Sequence, residues 1–379
     1  MKFTCETSAF TDAMQIASRV IPQKSPWPIL INVKIVTNDN RVTITGSNSD
    51  TTFEMDVPAE VETEGAVCIS FAMLSKFVTA AKSTQVTIDA DEKSAKISSG
   101  RNRITLMCSD VADYPNYKIT EGETVAVDVK TFCAALKYCA AAASTEESRY
   151  HLCGVSFDEA DAELNMWGTN GHIASRAVLS DMPSIGGGGT LPNDAVQTVL
   201  SIASKADEMA INISERGWSA VVRGTRVWGK VIDGKFPDMR QMMGRYKDWT
   251  DVATIELDRI QTGLAVGSVG SGVTSDKSNK IILKSLGSDA IIFRGGDPSV
   301  GVGEAGRAEI DANVLGEFAV GINARYLTAA LTGVDADSKI LIRSATDGIQ
   351  IEPSQSNALS KLTSLVMPMR VSDQELSDV

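Results

Sequence analysis

At 379 residues, with 43% apolar side chains, a formal net charge of −12 and a mean hydropathy of −0.02, the chain reads as a globular protein large enough for two or three domains. No apolar run approaches the roughly 20 residues that span a bilayer, and the start MKFTCETSAF has no apolar signal core, so a cytoplasmic protein with no membrane partner is expected. The negative total argues against a protein that coats nucleic acid with its whole surface, and leaves room for a local basic face.

The first third opens with a strand over Lys2–Cys5 and a helix over Ser8–Val20, whose Phe10, Ala13, Met14, Ala17 and Val20 recur at helical spacing. Pro22, Pro26 and Pro28 end it. A hairpin follows over Asn32–Asp50, where Val33 and Ile35, then Val42 and Ile44, alternate with polar neighbours before Gly46. After a strand over Phe53–Val57 the plan repeats: a strand over Val67–Ser70, then a helix over Phe71–Lys82 with Met73, Leu74, Phe77, Val78 and Ala81 on its apolar side. Strands Gln85–Asp89, Ala95–Ser98 and Arg103–Cys108 come next, closed by Asp113-Tyr114-Pro115.

The middle third begins with Thr124–Val129 and an alanine-rich helix from Thr131 to Ala143. Its hairpin pairs Val155–Phe157 with Glu163–Trp167 through an acidic turn and closes on Gly168-Thr169-Asn170-Gly171. The glycine run Ile185–Gly189 reads as a flexible loop. A helix over Asn193–Lys205, strands Met209–Ile213, Trp218–Val222 and Val227–Val231, and Phe236-Pro237-Asp238 complete this third. The last third offers Ala253–Leu257, a weaker helix over Asp258–Gly267, a hairpin over Lys280–Asp297, strand Phe318–Ile322 and helix Asn323–Thr332. Strands Ile340–Arg343, Ile349–Glu352 and Leu359–Met367 lead to Pro368 and an acidic, mobile tail, SDQELSDV.

Gly46, Gly168 and Gly295 lie 122 and 127 residues apart, and Pro115 and Pro237 are again 122 apart. One unit has been laid down three times, which predicts domains at 1–122, 123–250 and 251–379. Antiparallel strands with two helices per unit predict an α+β fold, with sheets on one side and helices on a shared other side. The six helix windows 7–24, 71–82, 131–143, 193–206, 258–268 and 322–332 hold eight basic and three acidic side chains. That is a net +5, leaving −17 on the rest of the chain. Lys76, Lys82, Lys137 and Lys205 are thereby candidates for a helical face turned to a polyanion; the plain alternative is that Lys and Arg favour helices.

The reactive-group inventory is thin. Six scattered cysteines without a CxxC pair read as reduced core residues, and a zinc site from His151 and Cys153 would need ligands from distant segments. Gly301–Gly306 matches GxGxxG but falls between halves of the third repeat, where a linker fits better than a dinucleotide loop. His172 has no nucleophile motif beside it, so packing or hydrogen bonding at a loop is the better reading than general-base chemistry. No catalytic residue, metal or cofactor is expected. Ser364–Val371 can be ordinary edge packing or an adaptable methionine-lined groove for peptides.

A set of landmarks in fixed order resembles the bacterial DNA polymerase III beta subunit family of replicative sliding clamps. These are MKFT, Pro28-Ile29-Leu30 with Asn32, Ser47-Asn48, Arg149-Tyr150 with Leu152 and Gly154, Thr169-Asn170-Gly171-His172, Gly234 with Phe236-Pro237-Asp238 and Arg240, and Met367-Pro368-Met369-Arg370. The resemblance implies a head-to-tail homodimer closing a ring, helices inward, around duplex DNA without sequence preference. It implies no catalysis, a DNA polymerase III catalytic subunit and other clamp-binding-motif proteins as partners, and a clamp loader that opens the ring. The family's peptide pocket maps to Leu152, Thr169, Gly171, His172, Pro237, Asn323, Tyr326, Leu365, Val366, Met367, Pro368, Met369, Arg370 and Val371. Its DNA contacts map to Lys24, Arg149 and Tyr150, and its ring-closing edge, after Ser99-Gly100-Arg101, to Arg101, Arg103, Ile104 and Leu106. Asn170 and Ile173 stand where the family usually has Asp and Arg, which predicts a weakened polar rim, and Gln241 replaces a common basic residue. The tail's Asp373, Glu375 and Asp378 are expected to compete with or tune peptide binding. A clamp-fold scaffold that has lost ring closure or DNA use is the alternative.

Overall fold

The structure, a computed structural model, describes residues 1–118, 122–245, 253–255, 259–261, 263–265, 279–295, 306–334, 338–342, 344–353, 360–373 and 375. The first third contains β1 (Lys2–Glu6), α1 (Thr7–Val20), β2 (Asn32–Asn38), β3 (Arg41–Ser47), β4 (Thr51–Thr63), β5 (Gly65–Ser70), α2 (Phe71–Ala80), β6 (Gln85–Ala90), β7 (Ser94–Ser99) and β8 (Asn102–Ser109). The middle third adds β9 (Val125–Val127), α3 (Val129–Ala140), β10 (Gly154–Ala160), β11 (Glu163–Thr169), β12 (Ile173–Leu179), β13 (Gly188–Pro192), α4 (Asn193–Ala203), β14 (Met209–Ser214), β15 (Gly217–Val222) and β16 (Thr225–Gly229). The middle third closes with α5 (Met239–Gly244), and the last third carries β17 (Ala253–Ile255), β18 (Lys280–Leu286), β19 (Ala290–Gly295), β20 (Gly306–Asp311), β21 (Asn313–Val314), β22 (Ala319–Asn323), α6 (Ala324–Ala330), β23 (Ser338–Leu341), β24 (Ile349–Pro353) and β25 (Ser360–Val366).

Contacts divide the chain into two compact units, Met1–Val129 with Pro183–Val231, and Lys130–Met182 with Ile232–Val379. In the first unit the strands make one antiparallel sheet in the order β1-β6-β7-β8-β5-β2-β3-β4-β16-β15-β14-β9, and β1 also meets β4. β4 is long enough to serve three partners: β3 along most of its length, β1 at its far end and β16 over Thr51–Met55. The seam with β16 carries two ion pairs, Arg226–Glu54 and Lys230–Asp50. α1 buries the predicted Phe10, Ala13, Met14, Ala17 and Val20 and packs beside α2 and α4. On α2 only Leu74 and Val78 are buried, and Met73 is 46% exposed.

In the second unit one sheet runs β10-β11-β12-β25-β24-β23-β17-β21 and another β20-β19-β18-β22. The β12–β25 seam matches seven residue pairs, from Ile173↔Val366 to Leu179↔Ser360. Behind it the buried Tyr138 hydroxyl on α3 meets Ser364 Oγ at 2.7 Å, and Ser364 meets Ser175 Oγ at 2.7 Å. Burial pushes the Tyr138 phenol well above its ordinary range, which keeps this hydroxyl chain neutral. The apolar core beneath the four-stranded sheet is built on Leu283, Ile291, Phe293, Ile322 and Leu327.

The repeated glycine has a steric cause. A Cβ on Gly168 would lie 1.8 Å from the carbonyl oxygen of Cys139, and one on Gly46 would lie 2.4 Å from Phe53 Cε1 and 2.7 Å from Ile21. In both thirds the second hairpin strand passes directly under the end of a helix, where only glycine fits.

Several expectations are corrected. The glycine run is no free loop: Ile185 is buried, its carbonyl accepts from Ile213 N at 2.6 Å, and Gly188–Pro192 is a strand. β12, α5 and β20 were not anticipated, and α2 and α4 end two residues early, so Lys82 and Lys205 lie just past helix ends. Helical backbone occurs at 259–261 and 263–265; the rest of the expected 258–267 helix, and 301–305 of the GxGxxG match, lie outside the described residues. All six cysteines are free thiols, and burial raises that of Cys68 to about 11 and that of Cys5 to about 12.

Candidate partner-peptide site

The site starts at a tight turn after β11. Thr169 Oγ1 donates to Ile173 O at 2.6 Å and accepts from Gly171 N at 3.1 Å, while Asn170 Oδ1 accepts from His172 N at 2.9 Å and Ile173 N at 3.0 Å. Gly171 takes φ +90°, a left-handed conformation that favours glycine. Arg149 Nη1 closes the turn from outside by donating to Asn170 O at 3.0 Å. The turn delivers His172 to the surface, where its ring stacks on Tyr326 of α6 with centroids 6.0 Å apart and planes 7° apart. Asn323 caps α6 through Oδ1, which accepts from Arg325 N at 2.9 Å, and so fixes the helix that carries Tyr326.

The segment leaving β25 forms the next wall. Met367 N donates to His172 O at 2.8 Å, and Met369 N donates to Gly321 O at 2.8 Å. Met367 is 42% exposed, Pro368, Met369 and Val371 are half-buried and Arg370 is exposed. Strand alternation separates the two residues before it: Leu365 joins a small buried cluster with Trp167, Ala174 and Met239, whereas Val366 joins the main core. Ile173 pairs with Val366 and is buried in that core, an apolar side chain turned inward at the position where the sequence reading expected a weakened polar rim.

Beneath Leu365 lies that buried cluster, Trp167, Ala174, Met239 and Leu365, and the half-buried Phe236, Met242 and Met243 packed against it are its accessible side. Below it a polar chain holds the ring of Trp167. Trp167 Nε1 donates to the Asp158 carboxylate, Arg240 of α5 pairs with the same carboxylate, and the Arg176 guanidinium lies 4.8 Å over the indole. Burial, then repulsion from Arg240, lowers the Arg176 pKa, and Asn165 Oδ1 accepts from its Nε and Nη2 at 3.1 and 2.7 Å. α5 is positioned by Asp238, whose side chain accepts from Gln241 N at 2.9 Å. Pro237 is exposed at its start, and Leu152 is buried at the end of the 3-10 turn Glu147–Leu152. Methionine thioethers and aromatic rings, rimmed by His172, Tyr326 and Arg370, suit aliphatic and aromatic side chains of a short peptide.

Residues 1–118 match the family model described as the DNA polymerase III beta subunit, N-terminal domain, and residues 126–238 match its central-domain model, together more than half the chain. The chain belongs to the DNA polymerase III beta subunit family. It is 23% identical to the beta sliding clamp of Lactococcus lactis over 98% of this chain and 99% of that one. Its fold superimposes on the Caulobacter crescentus beta sliding clamp with a TM-score of 0.88 at 19% identity, covering 98% and 99% of the two chains. For the Pseudomonas aeruginosa DNA polymerase III subunit beta the TM-score is 0.86 at 18% identity, covering 98% and 100%.

In this beta-subunit chain the other sequence candidates fall as follows. Lys24, Lys76, Lys82 and Lys205 are exposed in the first unit, and Lys137, Arg149 and Tyr150 in the second. Lys205 lines a cleft of about 190 Å³ with Asp12, Gln15 and Arg223, the last a cation at the β15–β16 turn that the helix-based reading passed over. Arg149 serves the peptide-site turn and pairs with Glu146 at 3.6 Å. Arg101 just before β8 and Arg103 on it are exposed, Ile104 is half-buried and Leu106 is buried, while Met107 is 77% exposed. β8 pairs with β7 over 102–107 and with β5 only at Cys108 and Ser109, so 102–107 present an open edge among the described residues. Sequence reading also passed over Trp167, Phe236, Met239, Met242 and Met243; the signal was the methionine-rich run directly after Phe236-Pro237-Asp238.

Proposed function

We propose that this chain is a replicative sliding clamp: two copies close head-to-tail into a ring around duplex DNA and tether a DNA polymerase through the peptide site. The observation that carries the reading is the exposed Met367–Arg370 wall, tied by backbone to the His172 turn and facing the His172–Tyr326 stack. Clamp domains at 1–122, 123–250 and 251–379 are part of the proposal, supported by family-model bounds of 1–118 and 126–238. The open β8 edge with Arg101 and Arg103 suits ring closure against a second copy; β20 ends the four-stranded sheet and is the corresponding edge of the second unit. The exposed lysines suit sequence-independent phosphate contact. The proposed role asks for no catalytic chemistry, cofactor or metal and places the protein in the cytoplasm with polymerase, clamp loader and other clamp-binding proteins. Among the described residues no helix is long and apolar enough to cross a membrane.

Light scattering over a dilution series tests ring formation. A mass of twice the 40.4 kDa chain, with retention on circular DNA that is lost on linearisation, is the expected result. A monomer at all concentrations, with no topology-dependent retention, would replace the clamp by the scaffold alternative.

A further inference from the structure

Beyond Arg370 the chain lies across β22 and β18. An added Cβ on Gly321 of β22 would be 2.7 Å from Met369 O and 2.8 Å from Val371 Cγ2, so the segment sits tight on that strand. Ser372 and Glu375 are docked; residues 374 and 376–379 of the tail expected to be mobile lie outside the described residues. Ser372 N and Oγ both donate to Glu375 Oε2, at 2.8 and 2.9 Å, and Glu375 N donates back to Ser372 Oγ at 3.3 Å, the reciprocal pattern of a capping box. The other carboxylate oxygen takes the Lys280 ammonium of β18, and the Glu375 carbonyl accepts from Arg294 Nη1 of β19 at 3.4 Å. The Lys280 and Glu375 side chains are only 20% and 12% exposed, so this pair is shielded beyond an ordinary surface contact. Burial disfavours the Glu375 carboxylate, but its bonds from Lys280 and Ser372 outweigh that and hold its pKa below the ordinary 4.5.

The consequence concerns the wall just before it. Met367–Val371 is fastened at His172 O and at Gly321 O, and the clasp of Ser372 and Glu375 follows directly at its far end. Of the tail acids expected to compete with or tune peptide binding, Glu375 is paired with Lys280 on the sheet. We propose that Ser372 and Glu375, clasped on Lys280 and Arg294, act as positioning residues that hold the Met367–Val371 wall ready for a peptide, so that this segment strengthens capture. A wall already in place spares the ordering cost of binding, and its loss shows mainly as faster release. The consequence for affinity rests on the peptide-site reading; the positioning of the wall does not.

The test is a labelled hexapeptide presenting leucine and phenylalanine, titrated against the full chain and against E375Q, S372A, a chain ending at Val371 and the charge exchange K280E/E375K. Loss of a shielded, charge-assisted contact predicts roughly fivefold weaker binding for E375Q and for the shortened chain, carried by dissociation, with only partial recovery in the exchange variant, where an ammonium at position 375 restores the ion pair but cannot accept from Ser372. Unchanged or tighter binding by the shortened chain overturns the proposal. Hydrogen exchange at the Met367 and Met369 amides reads the latch without any peptide. Faster exchange in E375Q, or in S372A should E375Q not fold, supports it, and identical exchange overturns it. A wild-type chain that binds no peptide while these amides respond would sink the peptide-site reading alone.

Discussion

Two seams join strands that are distant in sequence, and they are sealed by opposite means. In the first unit β4 meets β16 over five residue pairs, and the polar contacts across it are Arg226–Glu54 and Lys230–Asp50, with the Lys230 and Asp50 side chains 70% and 68% exposed. In the second unit β12 meets β25 over seven pairs, backed by the buried Tyr138–Ser364–Ser175 hydroxyl chain. Exposed ion pairs add little and yield to salt; buried hydroxyls add little while satisfied but cost much when one partner is removed. The drier seam is the one that continues into the Met367–Arg370 wall, so geometric precision is concentrated where the peptide site needs it.

The strongest way to break the second seam is steric. Gly168→Ala would drive a methyl into the Cys139 carbonyl, and about 3 kcal/mol or more of destabilisation in denaturant unfolding is expected. A loss under about 1 kcal/mol would show that the α3 end yields easily. Next, Ser364→Ala strands the Tyr138 and Ser175 hydroxyls together; about 2 kcal/mol should be lost, with no dependence on ionic strength. Glu54→Gln at the first seam should cost at most about 1 kcal/mol, and that difference from wild type should vanish in 1 M salt, where the screening length falls to about 3 Å. A salt-independent loss would mean that this seam too is shielded. The smallest effect is titration of Glu375. Its pKa is lowered on folding, so its contribution is complete above the ordinary 4.5 and fades as the pH falls through the lower folded value. E375Q should therefore match wild type in stability at low pH and fall behind it near neutrality.

Much of this was legible in the chain. α1 and the first hairpin follow from periodicity because each buries one face and turns the other outward, while the later two hairpins, with β11 and β19 buried on both faces, were marked by their turns and the glycine spacing. β12 was hidden for the opposite reason. Its IASRAVL is buried on both faces except at Arg176, so no alternation marks it. β13 hid behind glycines and α5 behind its six-residue length. At the site, His172, Tyr326 and Met367–Arg370 were reached through the family resemblance, since a turn that aims a histidine has no periodic signature. That pairing with Val366 turns Ile173 inward could not be read from its neighbours in sequence. Which face a residue joins depends on a partner strand almost 190 residues away, and no local pattern carries that information.

The peptide site is built largely on sulfur. The half-buried Met242, Met243 and Met369 carry its accessible sulfur with Met367, which stands 42% open to solvent, while Met239 is buried beneath them. Peroxide adds an oxygen to an exposed thioether and turns a soft hydrocarbon-like contact into a polar one, reversibly where a reductase is present. The grip on partners is thus chemically erasable without unfolding the protein, and a mass shift of one oxygen at Met367, suppressed by bound peptide, would be its signature.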